Sequence, residues 1–505
     1  MSTTLVGPRA QTSSVEDSTS SAATPRRSGR GPGLDLLFTA VFAVFGLGVG
    51  IERLSDNSFF THLATGRFIL DHGIPREDIY SFTAPGTKWV VQSWLAEVIY
   101  AQLDRSFGAF GIRVLGAITG MAITVLVFRL ALRLTRERVR AALVSVAALA
   151  GLYTLWSERP LLLGALFFVI LLWVVEVPDC VVGRHPLIAM PVLFWFWANI
   201  HGTFALGFAY LGLHLLGRWL DGHRPWQGRE RQLLIGSVIA FGAMFLNPYG
   251  PALVFFPMDL LRRGDVLKDV IEWMSPDFHT VQGQSFLLWI VVFVAVVARA
   301  PHRVSRRDLV VTIPFLLLGL WALRNVAIAP LVGLPVVARA VAIDPEVAAA
   351  RRADERSSPL GWALGVVLVV LAFGLVARAA GQPDFVESPY PVKAMNALEA
   401  KELLGRNLLL DDGDAAYPDL AYGPGVQPVF LDDRYDMFPK EIVDEFMLVS
   451  RAQPGWEQVL AARDVETIIW NEDRALVQLL AQSGDWTEIH RDKTWVAFVR
   501  TDLAP

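Results

Sequence analysis

Residues 34–51 read LDLLFTAVFAVFGLGVGI, an apolar block whose one charge is Asp35. That length approaches the roughly 20 residues a helix needs to cross a hydrocarbon core. Arg26, Arg27 and Arg30 precede it. Positive charge beside a span stays cytoplasmic, so the N-terminus is expected inside. Residues 1–33 are rich in Ser, Thr, Arg, Pro and Gly and are expected to form a disordered tail. No small-residue cleavage pattern follows the apolar block, so it reads as a retained span and not as a cleaved signal peptide.

Similar blocks recur downstream, at about 111–132, 141–157, 160–176, 187–200, 203–218, 232–246, 286–299, 309–323, 326–342 and 359–378. The expectation is a polytopic α-helical protein of the inner (plasma) membrane with about eleven spans, its membrane domain covering 34–380. The whole chain fits this class: of 505 residues 53% are hydrophobic and only 19% charged, against roughly 25% in soluble domains. Alternation makes every second connection cytoplasmic. Those connections hold Arg133, Arg136, Arg138 and Arg140, then Arg184, then Arg218, Arg224, Arg229 and Arg231, then Arg303, Arg306 and Arg307, then Arg351, Arg352 and Arg356. Arg262, Arg263 and Lys268 break the rule by falling in an outer connection. An odd number of spans places the C-terminal region outside.

That region is a different object. Residues 381–505 carry 23 Asp/Glu against 11 Lys/Arg, while the rest of the chain carries 26 against 34. An acidic tail is a poor partner for nucleic acid or anionic lipid. Its pattern alternates helix (394–404, 475–483) and strand (407–410, 429–431, 465–470, 495–500), which predicts a small soluble α/β domain. The acidic runs Asp411/Asp412/Asp414 and Asp432/Asp433/Asp436 match no calcium-loop spacing and read as solvated turns. A single cysteine, Cys180, excludes an internal disulfide and a cysteine-built metal site.

Ionisable groups persist near membrane spans only where water, a partner or a substrate compensates them. Here they gather on the expected outer face. Glu52 and Asp56 follow the first span, His62 lies further along the loop 52–110, and Glu97 stands near that loop's end. Arg159 lies between spans three and four, Asn199 and His201 between five and six, Asn247 after span seven, and Arg324 between nine and ten. Polar groups beside apolar walls suit an amphipathic lipid substrate. Plainer readings stand beside this one: Glu158 and Arg159 as a local ion pair, Asn199 and His201 as helix caps, Asn247 as part of an Asn-Pro-Tyr-Gly turn, Arg324 snorkelling to headgroups. The loop's aromatics, Phe59, Phe60, Tyr80, Phe82, Trp89 and Trp94, predict helices lying in the membrane interface.

The loop runs Asp56-Asn-Ser-Phe-Phe-Thr-His62-Leu-Ala-Thr-Gly66, then His72-Gly73-Ile-Pro75, Asp78-Ile-Tyr-Ser81, Trp89 and Gln92-Ser-Trp94-Leu-Ala-Glu97. With Arg159-Pro160, Trp197-Ala-Asn199-Ile-His201-Gly202, Asn247-Pro248-Tyr-Gly250 and Phe430-Leu-Asp432-Asp433-Arg434-Tyr-Asp436, it resembles bacterial GT-C-type membrane glycosyltransferases over most of the chain from Leu34. The resemblance implies a GT-C-like membrane domain and transfer of a sugar from a polyprenyl-phosphate carrier to a glycan, lipid or protein acceptor outside the membrane. It implies that an acidic residue of the first outer loop, here Asp56, acts on the acceptor as base or orients it. Arg159 and Arg324 then meet the leaving phosphate, with His62 or His201 donating hydrogen bonds. The family's adjacent Asp-Glu pair is absent, since Asn57 follows Asp56, so no metal ligand is assigned and a divalent metal stays open. Two alternatives remain: a transporter or flippase of lipid-linked glycans, and a non-catalytic scaffold in envelope assembly. Replacing Asp56 with Asn separates them from an enzyme.

Overall fold

The computed structural model describes residues 33–152, 156–268, 270–353, 359–386 and 388–505. The N-terminal tail expected to be disordered lies, apart from Gly33, outside the described residues, as does Arg356. The membrane part comprises α1 (Leu34–Gly50), α2 (Asn57–His72), α3 (Trp94–Thr135), α4 (Arg138–Ala150), α5 (Pro160–Glu176), α6 (Val181–Arg184), α7 (Pro186–Ile200), α8 (Phe204–Leu220) and α9 (Gly228–Ala243). It continues with α10 (Pro251–Arg262), α11 (Gly264–Leu267), α12 (Val281–Arg299), α13 (Arg306–Trp321), α14 (Ile328–Ala340), α15 (Pro345–Ala353) and α16 (Pro359–Ala380). Each expected span coincides with a helix: α1, the distal part of α3, α4, α5, α7, α8, α9, α12, α13, α14 and α16. Among the described residues, α3, α12, Leu323–Ala340 and Leu360–Ala380 are long and apolar enough to cross a membrane, and α1, α5, α7 and α8 are shorter apolar helices.

Small residues set the packing. Gly46 and Gly50 on α1 face Gly120 and Gly116 on α3 so closely that a Cβ on Gly46 would sit 2.4 Å from the Gly120 carbonyl oxygen, and one on Gly50 2.2 Å from that of Gly116. Glycines four apart let two helix backbones touch, the usual way helices bind in lipid, where water supplies no hydrophobic drive. The Thr124 hydroxyl seals the seam by donating to the Phe42 carbonyl at 2.7 Å. At Gly108 (φ 61°, ψ −163°) α3 kinks, so its first turns belong to the loop region and only the remainder continues as a span.

The arginine-bearing connections share one end of the bundle. Arg140 donates to the Val341 carbonyl (2.6 Å), Arg303 to that of Ala342 (2.7 Å) and Arg229 to that of Gly183 (2.6 Å). Just inside that end lies a fully paired ionic cluster. Arg339 bridges Glu176 and Asp308, each at 2.7 Å, Arg307 holds the same two acids, and the Tyr210 hydroxyl donates to Glu176 at 2.7 Å.

The C-terminal domain sits at the other end. It holds α17 (Val392–Ala400), α18 (Ala416–Tyr422), α19 (Lys440–Ser450), α20 (Trp456–Ala462) and α21 (Ala475–Ser483) around a sheet of β1 (Leu408–Leu409), β2 (Thr467–Asn471), β3 (Trp486–Arg491) and β4 (Trp495–Arg500). The strand order is β1-β2-β4-β3, with β1 parallel to β2 and the other pairs antiparallel. The expected segment 429–431 forms only isolated bridges: Val429 pairs with Leu408 on one side and Ser81 on the other. The long loop therefore extends the tail's sheet, through Val429 N–H to Tyr80 O (3.2 Å) and Phe82 N–H to Val429 O (3.1 Å). This corrects the interfacial reading of the loop. Phe59, Phe60, Tyr80 and Trp89 are buried in protein, because α2 is sandwiched between α3 and α18 and the loop shares a core with Phe430, Phe438 and Phe446. The same contact accounts for an exception to the charge rule, since Arg263 donates to the carbonyls of Asp436 and Phe438 and fastens the tail.

Candidate functional site

The first turn of α2 organises the site. Asp56 is its N-cap, accepting from Phe59 N–H at 3.2 Å. Both Asp56 oxygens also receive the Arg159 Nε–H, at 2.6 and 2.7 Å. Arg159 caps α5, and its Nη1 donates to Glu272 at 2.5 Å. Three loops thus meet on one guanidinium whose own acidity is suppressed: Asp56 and Glu272 outweigh burial and push its pKa up. Glu158 is not the ion-pair partner of Arg159; it accepts the Ser55 N–H at 2.6 Å, and burial raises its pKa.

Two residues on, the same turn faces a second environment. The Ser58 hydroxyl donates to Asp433 from the C-terminal domain. One turn further, His62 Nδ1 lies 2.8 Å from Glu97 Oε1, and Glu97 is 2% exposed with its other oxygen unpartnered. Gly66 allows this pairing: a Cβ there would stand 2.1 Å from the Glu97 carbonyl oxygen. Only glycine lets α2 and α3 approach so far, and that approach brings His62 to Glu97.

Two cavities open on either side of this turn. The larger, about 480 Å³, is lined by Glu52, Arg53, Asp56, Glu158, Arg159 and Tyr390 together with an apolar wall of Val49, Leu115, Leu162 and Leu163. The smaller, about 230 Å³, is lined by Ser58, His62, Glu97, His201, Glu272, Arg324 and Asp433 among others. Arg324 stacks on Trp273 at 4.6 Å and has no ion-pair partner among the described residues. Burial, with Arg324, His62 and Arg159 nearby, lowers the His201 pKa to about 3, so the ring is neutral. Its Nδ1 accepts from Thr203 N–H at 3.2 Å, which leaves the proton on Nε2.

Seven of the nine expected residues thus meet around one turn, in two groups: Glu52, Asp56 and Arg159, and His62, Glu97, His201 and Arg324. The other two serve the scaffold. Asn199 is fully buried, accepting from Trp94 Nε1 (2.8 Å) and donating to Trp195 O (2.7 Å). Asn247 closes its turn through Met244 O (2.7 Å), Gly250 O (2.9 Å) and Tyr249 N–H (2.7 Å), and Tyr249 in turn receives the long loop at Val91 N–H (3.0 Å). Neither lines either of these two cavities, because their polar atoms are engaged with other parts of the protein. Glu52 is exposed and paired with Arg378 at 3.1 Å.

Sequence reasoning missed the contribution of the tail. Asp432 is fully buried, not solvated: Arg434 grips it through Nε (2.9 and 3.0 Å) and also reaches Asp78 at 2.6 Å. Arg434 is itself held over Tyr80 (4.7 Å) and Trp89 (4.3 Å). The neighbouring Asp433 lines the smaller cavity, and burial together with Asp432 raises its pKa. The interleaved arginine in Asp-Asp-Arg-Tyr-Asp was the available signal, since a charge so placed can neutralise a buried acid. Among the described residues no group of three or more His, Cys, Asp or Glu side chains gathers as a metal site.

Two solved structures of ArnT from Cupriavidus metallidurans share this overall fold. The apo form matches at 15% identity and the form bound to undecaprenyl phosphate at 14%, covering 94% of this chain and 99% of that one, with TM-scores of 0.53 and 0.52. The chain has the ArnT fold. The membrane architecture expected from the GT-C resemblance is therefore the one it adopts, as a multi-pass helical domain with a C-terminal α/β domain. At this identity the likeness to ArnT speaks for the fold. No protein-family model and no curated protein sequence matches the chain.

Proposed function

We propose that this protein is a membrane glycosyltransferase that moves a sugar from a polyprenyl-phosphate carrier to an envelope acceptor on the extracytoplasmic face. The observation that carries the reading is the junction at the first turn of α2. One ion pair, Asp56–Arg159, stands between an apolar-walled cavity and a more polar one, within the fold of a protein solved with undecaprenyl phosphate. In this reading the larger cavity takes the carrier. Its leucine and valine wall suits a prenyl chain, and Arg53 and Arg159 suit the phosphate. The smaller cavity takes sugar and acceptor.

The chemistry follows from the charges. An acceptor oxygen attacks the anomeric carbon, the carbon–oxygen bond to phosphate breaks, and its electron pair leaves on the phosphate. Fixed cations aimed at that growing charge lower the barrier; Arg159 and Arg324 fill this role. Asp56, bound to Arg159 Nε through both oxygens, keeps the guanidinium aligned. The test is Asp56→Asn in the full-length chain. The envelope lipid or glycan that disappears on gene deletion, measured by mass spectrometry, returns with wild type and falls about 10²–10³-fold with the variant, as for loss of a preorganised electrostatic group. Undecaprenyl phosphate still binds the purified variant. Full restoration of product by Asp56→Asn sinks the reading.

A further inference from the structure

We infer that the C-terminal domain completes the reacting site, with Asp433 as the group that takes the acceptor's proton beside the His62–Glu97 pair. This inference rests on the transferase reading and deepens it.

Asp56 is already engaged within the protein. Its two oxygens already accept from Arg159 Nε and from the cap N–H of Phe59. Asp433 is differently placed. One oxygen accepts from Ser58, and the other has no hydrogen-bond partner among the described residues, on a side chain that lines the smaller cavity. The turn that carries it is rigid, because Arg434 is locked to Asp432 and Asp78 and stacked on two rings of the long loop. Groups held this way keep their geometry through a reaction. His62 lies in the same cavity with Nδ1 turned to Glu97, which leaves Nε2 free of that contact. A buried carboxylate fixes an imidazole's orientation and steadies its charged form. The groups acting on Asp433 are Asp432, Arg159 and His62, with Glu272, Arg324, Arg434 and Asp436 lining the same cavity. Burial and Asp432 outweigh the cations and make Asp433 more basic than an ordinary aspartate.

The step balances. The acceptor oxygen forms its bond to the anomeric carbon, its proton passes to the Asp433 carboxylate, and the polyprenyl phosphate departs with the bonding pair. His62 then relays the proton from Asp433 to water.

The test uses full-length protein in the deletion strain and in lipid nanodiscs, with undecaprenyl phosphate as the binding probe. Asp433→Asn is expected to lower the restored envelope product about 100-fold while undecaprenyl phosphate affinity changes less than twofold. Asp433→Glu regains at least a tenth of wild-type product, with a shifted acidic limb in its pH profile. Ser58→Ala, which alters no charge, lowers product about fivefold. Product above half the wild-type level in Asp433→Asn overturns the inference, and if Asp56→Asn is inactive in the same assay the transferase reading stands without it. A wild-type chain that neither restores product nor binds undecaprenyl phosphate removes both.

Discussion

Two charged clusters lie at opposite ends of this helical bundle, built from the same residue types but paired to different degrees. At the arginine end, Glu176, Arg307, Asp308 and Arg339 are matched acid for base, and Arg307 and Asp308 are 5% and 3% exposed. No cavity reaches them among those described. At the tail end, Asp56, Arg159, Glu272, His62, Glu97, Arg324 and Asp433 surround a shared turn flanked by two cavities, and one Glu97 oxygen is left unpartnered. A closed cluster fixes helix ends; an open one retains unspent hydrogen-bonding capacity that a substrate can take up. Burial of charge alone therefore marks no site. What distinguishes a site is burial with incomplete pairing beside a cavity.

The sharpest way to break this contrast is Glu176→Gln. Removing one of the two acids in this buried cluster leaves two arginines sharing Asp308, at a cost of about 3–5 kcal/mol. Thermal unfolding followed by intrinsic fluorescence in detergent should show the loss, with transfer per folded molecule unchanged; a selective loss of transfer would give the paired cluster a functional role. Gly66→Ala acts at the open end. Its new Cβ collides with the Glu97 carbonyl, so α2 must move away from α3 at about 1–3 kcal/mol. Product formation should fall more than that stability loss accounts for, because His62 and Glu97 separate; equal losses would make the pair merely structural.

The smallest effect is a pH dependence. Burial and Asp411 raise the Asp414 pKa to about 7, and burial also raises that of Asp412. An unfolded aspartate ionises near pH 4. As pH rises from there towards 7, the unfolded chain releases a proton that folded Asp414 retains, so stability falls across this window. Asp414→Asn should flatten that decline by about 1 kcal/mol after allowance for solvent screening. An unchanged slope in a pH series of unfolding temperatures would show that the carboxylate is solvated.

Much of the fold was legible because crossing lipid demands long, predominantly apolar helices. The block at 34–51 and its ten successors all land on helices. In the tail, β4 occupies Trp495–Arg500 as expected, while β3, reading WTEIHR, escaped notice because an edge strand with polar residues shows no clean alternation. The cavity lining was legible where an ionisable group stood beside an apolar span, as for Asp56, Arg159 and Arg324. The sequence did not show that Asn199 would be spent on Trp94 and Trp195, or Asn247 on its own turn. It was illegible where burial depends on distant chain: nothing near Asp433 in sequence says that Ser58 and His62 will cover it.

The bridge between Ser81 and Val429 has a consequence for how the protein is made. The loop leaves the ribosome early, yet its pairing partner follows some 350 residues later, which at about 5–20 residues per second is a wait of roughly 20–70 s. Throughout that interval the strand-like edge at Tyr80–Phe82 and its aromatic neighbours lack their cover. Completion of the last quarter of the chain is thus a checkpoint in biogenesis, and a chain stalled before residue 429 presents the cell with an uncapped edge that proteases can recognise.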